Sequence, residues 1–129
     1  MSAFLCPACG LPQLAIKYSI SLAPDSRSDE IEVQLVECDA CDLEGAAIYE
    51  ESRRGALDSE SVSHLGYRLN EWQYVSLKKQ IRVCTQRDNA QCECYSHTVL
   101  GRQDEDGRWQ GIPGLNWEHV FEMTLVPGP

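Results

Sequence analysis

CPACGLPQLAIKYSISLAPDSRSDEIEVQLVECDACD, residues 6–42, begins and ends on a Cys-x-x-Cys pair. Two thiols at that spacing reach one metal ion from a tight turn, whose backbone N–H groups can hydrogen-bond the sulfurs, and two such turns supply the four ligands of a tetrahedral site. Between the pairs, Ile16, Tyr18, Ile20 and Leu22 alternate with mostly polar neighbours. The run PDSRSD (24–29) supplies turn residues, and Ile31, Val33 and Leu35 resume the alternation. Strand, turn, strand predicts a β-hairpin carrying the pairs at its ends. Cys6, Cys9, Cys38 and Cys41 are the first candidate metal ligands. Gly10, after Cys9, suits a backbone position with positive φ, and Asp42 stands in the same place after Cys41.

Two Cys-x-x-Cys pairs with a hairpin between them and a short third strand after them, at 46–49, resemble a zinc ribbon over residues 6–50. That resemblance implies a closed zinc site of four cysteines that stabilises the fold without taking part in chemistry. CPACG alone is also similar to one knuckle of a rubredoxin, which holds iron, but the second pair lacks the matching proline and glycine. Zinc is therefore the expected cofactor. Neither pair sits at a predicted strand-to-helix junction where a helix dipole would activate a thiolate, which speaks against a redox role for them.

Working outward, residues 50–63 are polar and without period and read as a linker or long loop. The linker divides a ribbon-like segment, 1–54, from an α+β segment, 64–129, within what is expected to be one domain or two closely joined ones. In 70–81, Tyr74, Leu77 and Ile81 share a helical face, Asn70 suits the N-cap, Glu71 lies near the start, and Lys78, Lys79 and Arg82 lie near the end, matching the macrodipole. Val75, Leu77, Ile81 and Val83 also fit strand alternation, and the helix is preferred. From Tyr95 the chain reads as strand, DEDG (104–107) as a hairpin turn leading into Trp109, and GIPG (111–114) as a second turn. Trp117, His119, Phe121, Met123 and Leu125 then alternate along a last strand with one core face. The expected class is α+β, mainly antiparallel β, with the ribbon-like hairpin followed by a small sheet and one helix.

Three cysteines remain, Cys84, Cys92 and Cys94, in VCTQRDNAQCECYSH (83–97), and His97 follows three residues after the last of them. Three thiolates and an imidazole make a second candidate metal set. An extended backbone would point Cys92 and Cys94 the same way, with the polar loop from Cys84 bringing the third thiol round. A buried thiol at Cys84 and a packed strand histidine at His97 are the competing readings. A Cys-x-Cys beside Cys-x-x-Cys pairs is also similar to the redox-regulated heat-shock chaperones, although order and spacing differ here.

Composition narrows the function. The 129-residue chain carries 20 acidic and 11 basic side chains, a formal charge of −9, which repels phosphate backbones unless a local basic patch overrides it. Lys78, Lys79, Arg82 and Arg87 are the one such run. No stretch approaches about 20 consecutive apolar residues, and the start lacks a basic n-region and an apolar h-region. These features predict a cytoplasmic protein with no membrane span, in a compartment that favours metal ligation over disulfides. No metalloprotease, deaminase, nucleophile-elbow or phosphate-loop pattern is present; Glu93 and Glu118, the candidate general bases, lack the flanking ligands such sites need. The expectation is a zinc-stabilised protein-interaction module, not an enzyme, its partner bound through the ribbon or the region 104–109. A nucleic-acid-binding ribbon and a redox-sensitive zinc-thiolate protein centred on Cys92 and Cys94 are the alternatives.

Overall fold

The computed structural model describes residues 3–52, 61–115 and 117–126, without the side chains of Ser61 and Trp117. Strands β1 (Ala3–Phe4), β2 (Leu14–Leu22), β3 (Glu30–Cys38), β4 (Glu44–Ser52), β5 (Ser61–Arg68), β6 (Val120–Glu122) and β7 (Leu125–Val126) form one antiparallel sheet in the order β6-β5-β4-β3-β2-β1-β7. Helices α1 (Glu71–Val83) and α2 (Tyr95–Leu100) stand beside it, and the mainly antiparallel α+β class holds. The predicted hairpin is β2–β3, in register from Leu14↔Cys38 to Leu22↔Ile31 with a β-bulge between Ile16 and Tyr18.

Alternation sorts the side chains to two faces. Ile20, Leu22, Ile31, Val33, Leu35, Ala46, Ile48 and Tyr67 face one side, where α1 covers them with Tyr74, Leu77 and Ile81. That stripe is the helical face predicted for 70–81. Asn70 caps it through a capping box, its side chain accepting from Gln73 N–H at 2.8 Å while Gln73 Oε1 accepts from Asn70 N–H at 3.0 Å. The opposite face holds Leu14, Val36, Ala47 and Met123, with Cys6 and Cys38 at one end.

Neither described helix covers this second face; the sheet covers itself. β6 pairs with β5 at one edge and β7 pairs with β1 at the other, yet only two residues separate Glu122 from Leu125. A three-residue step spans at most about 10 Å, so the two edges lie that close and the sheet must curl. Met123 N–H donates to His64 O on one side and Thr124 O accepts from Leu5 N–H on the other. Residues 120–126 thus form a strap across the mouth of the curl, with Phe121 and Met123 against the inner cluster.

Four expectations are corrected. Residues 50–52 and 61–63 belong to β4 and β5, in register from Glu50↔Ser63 to Ser52↔Ser61, because backbone pairing continues where side-chain alternation fades; 53–60 lie outside the described residues. The stretch from Tyr95 is a helix, not a strand. DEDG does make a tight antiparallel turn, with Gly107 at φ 75°, but its ladder is short: Gln103 bridges Trp109, with Asp104 N–H donating to Arg108 O and Gln110 N–H to Arg102 O, and no strand extends from it. Asp104 closes that turn, its carboxylate accepting from Asp106 and Arg108 N–H groups, and Asp25 docks it to the 25–28 turn by accepting from Trp109 N–H. Finally, the last strand is broken. Trp117–His119 is a single 3-10 turn, His119 and Leu125 are exposed, and β6 and β7 serve different edges, so no continuous core face runs from 117 to 125. The side chain of Trp117 lies outside the described set.

Candidate metal centres

The first centre is built by two turns of the same design. Cys6 N–H donates to Leu11 O (2.9 Å) and Cys38 N–H to Leu43 O (3.1 Å), each closing a six-residue loop around its pair. Gly10 ends the first loop at φ 77°, its N–H donating to Cys6 O at 3.0 Å. Register sets the loops side by side, since Cys38 lies opposite Leu14 and Asp39 N–H donates to Gln13 O. The four sulfurs all fall within 4.8 Å of one another. Cys6 and Cys41 sulfurs are 3.7 Å apart, as are those of Cys9 and Cys38. A tetrahedral ion with metal–sulfur bonds of about 2.3 Å has sulfur–sulfur edges of about 3.8 Å.

Cys6 and Cys38 are buried in the inner cluster, while Cys9 is exposed and Cys41 half-buried. Ala40 N–H donates to the Cys38 sulfur at 3.4 Å. Burial works to raise the Cys6 thiol, but N–H groups of Cys9 and Ala8 and the neighbouring thiols bring it down to about 7. At Cys41, a hydrogen bond from Leu43 N–H lowers the thiol, yet desolvation and three adjacent sulfurs carry it to about 12. One thiolate forms readily and a fourth does not, because like charges this close repel. A divalent cation removes that conflict, and the donor set fits one.

The second centre gathers Cys84, Cys92, Cys94 and His97, with ligand atoms again within 4.8 Å of one another. Cys84 caps the C-terminus of α1 and Cys94 the N-terminus of α2. His97 is the third residue of α2, so the Cys94-x-x-His97 spacing is one helical turn, and the Cys94 sulfur accepts from His97 N–H at 3.4 Å. This is why the strand reading failed: the geometry that joins Cys94 to His97 is a capped first turn. His97 Nδ1 lies 3.4 Å from the Cys84 sulfur and 3.2 Å from that of Cys94, and Cys84 and Cys92 sulfurs are 3.9 Å apart.

His97 Nε2 donates to the carbonyl of Ser21 in β2 at 2.9 Å, leaving Nδ1 as the lone-pair donor that faces the thiols. Ser21 N–H donates to Arg87 O at 2.7 Å. Both backbone groups of one strand residue are therefore held by the 84–97 segment. Sequence reading missed Ser21; its one signal was a polar position inside an alternating strand. Hydrogen bonding from His97 N–H lowers the Cys94 thiol to about 6, while burial raises Cys84 to about 11. The same division of charge marks both centres. Glu93, Glu118 and His119 are exposed and belong to neither set.

No helix among the described residues is long and apolar enough to cross a membrane. Comparison of the chain with protein-family models, curated proteins and solved structures finds no match in any of the three.

Proposed function

We propose that this chain is a protein-interaction module stabilised by two zinc ions, one at Cys6, Cys9, Cys38 and Cys41 and one at Cys84, Cys92, Cys94 and His97. The supporting observation is the pair of four-donor sets: each brings enough ligands to fill a tetrahedral sphere, which would leave no position for water or substrate and supports a structural role for the metal. Zinc is favoured over iron because an imidazole stands among three thiolates in the second set and because zinc accepts both donors in a tetrahedron without preference. The first set retains the ribbon-like plan, two knuckles joined by a hairpin.

An interaction role is supported by what the outer helix shows to solvent. Trp72 is 79% exposed on α1, beside exposed Val75 and an apolar groove of about 270 Å³ running to Leu69, Leu100 and Leu115. Trp109, by contrast, is half-buried with its Nε1 donating to Leu100 O, so Trp72 is the better anchor. Elemental analysis of the purified protein tests the metal half, with two zinc ions per chain expected; folded, metal-free protein would refute it. Titration with DNA and RNA at ~150 mM salt tests the rest, and micromolar affinity there would replace the protein partner with a nucleic acid.

A further inference from the structure

The basic run in the sequence does not spread over the surface. Lys78 Nζ lies 5.2 Å from the centroid of the Tyr18 ring, Arg82 Cζ 5.8 Å and Arg87 Cζ 5.9 Å. Lys78 and Arg82 are one turn apart near the end of α1, and Arg87 arrives from the loop of the second centre, held by its bond from Ser21. Cation–π attraction orders these groups without neutralising them. Among the described residues none of the three makes an ion pair, although the chain carries 20 carboxylates. A positive spot thus survives on a molecule of formal charge −9, and its complement is an anionic group.

Beneath the ring runs an open strand edge. β2 pairs with β3 along one side, but on the other only Leu14 has a strand partner, Phe4. Ser21 turns its N–H and C=O away from β3, toward Arg87 and His97. In an antiparallel ladder every second residue points the same way, so Ser19 offers its N–H and C=O to that same side, where no described strand lies. A concavity of about 480 Å³ opens there, walled by Ile16, Tyr18, Ser19, Thr85 and Arg87 together with Lys17, which is paired with Asp39, and a single carboxylate, Asp88.

Unpaired backbone donors and acceptors are matched by an extended polypeptide, not by a nucleic acid, which would use only the cations and meet repulsion from the rest of the surface. A second copy of this chain would bring the same cations to the same edge. Building on the protein-interaction reading above, we propose that the 16–19 edge of β2 binds an acidic segment of a partner protein as an added strand, with Asp or Glu side chains seated against Lys78, Arg82 and Arg87.

The test is fluorescence anisotropy of the zinc-loaded full chain with a labelled octapeptide of alternating Val and Glu at ~150 mM salt. Saturable binding is expected, weakened about tenfold or more by Gln in place of Glu in the peptide and by Arg82→Gln with Arg87→Gln. N-methylation of alternate peptide amides should abolish it, and that probe leaves the protein unchanged, so misfolding cannot mimic the loss. Undiminished binding of the N-methylated or the Gln peptide overturns the proposal, as does no binding at all. Tighter binding of an oligothymidylate would assign the cations to nucleic acid, and self-association relieved by Ser19→Pro would assign the edge to a second copy. Zinc content of the same sample separates the two readings: bound zinc without peptide binding sinks the strand site alone, whereas folded zinc-free protein sinks the metal-stabilised module.

Discussion

The two centres bring together the same number of ligands by opposite means. At Cys6, Cys9, Cys38 and Cys41 every ligand sits in a turn at the end of sheet strands, and the register of β2 against β3 places the turns together. At Cys84, Cys92, Cys94 and His97 the ligands come from two helix ends and a loop, hydrogen-bonded to the sheet at Ser21 and packed against its core through Cys84, Cys92 and Cys94. The first centre is part of the sheet; the second ties the helices to it. Loss of a ligand should therefore unfold different amounts of the molecule.

Cys38→Ser gives the largest expected effect. It removes a thiolate from a site where a bound zinc would contribute on the order of 10 kcal/mol to folding, and the strands it joins should melt with it. Far-UV circular dichroism and a thermal melt read this directly; an unchanged melt would erase the distinction between the centres. Cys92→Ser should cost one zinc per chain yet leave the sheet standing. Hydrogen exchange should then accelerate across 84–97 and at Ser21 while β3 and β4 stay protected. Equal loss of protection in β3 and β4 would make the second centre as integral as the first.

A glycine near each centre sharpens the contrast. At Gly101, the C-cap of α2, an added Cβ would sit 2.7 Å from His97 O, against the backbone of a ligand. At Gly10 a Cβ meets nothing within 4 Å and the cost is that of φ 77° alone. Gly101→Ala should therefore destabilise by roughly 1–3 kcal/mol and loosen the second zinc, whereas Gly10→Ala should cost only about 1 kcal/mol. Competition with a chromophoric chelator ranks them; a tighter second site in Gly101→Ala would contradict the structure.

The smallest effect concerns pH. His64 packs edge-on against Phe4, two residues before Cys6, and burial lowers its pKa below the ordinary value of about 6.5. The unfolded chain takes up that proton first. Its stabilising contribution is thus complete above about pH 6.5 and is lost as pH falls through the lower folded value. Comparing melts of the zinc-loaded protein at about pH 7.5 and 6 should show a modest decline that His64→Gln flattens. A decline of the same size in the variant would place the titration elsewhere.

What could be read from the sequence follows the range of the forces involved. The β2–β3 hairpin and α1 were legible because alternation, the Asn70 cap and the Tyr74, Leu77, Ile81 stripe are local patterns. The first four cysteines were legible as a set because a doubled spacing is itself a geometric statement. For Cys84, Cys92, Cys94 and His97 the set could be named but its shape could not, since one capped turn at Cys94 is too short to show a helical period. The curl was hidden altogether. Alternation from Trp117 to Leu125 looks like one strand, and nothing local reveals that Phe121 faces Gly66 while Leu125 pairs with Phe4.

The strap also orders events in time. The knuckles and the strands between them lie at or before residue 52, so four thiolates can close on an ion while most of the chain is still unmade. β1 receives its outer neighbour only when Leu125 and Val126 follow, about 75 residues later, which at ~5–20 residues per second is roughly 4–15 s of synthesis. For that interval a nascent chain exposes Phe4 and an unfilled edge beside an already rigid knuckle. Chaperone capture should concentrate there, and it should end when the strap arrives.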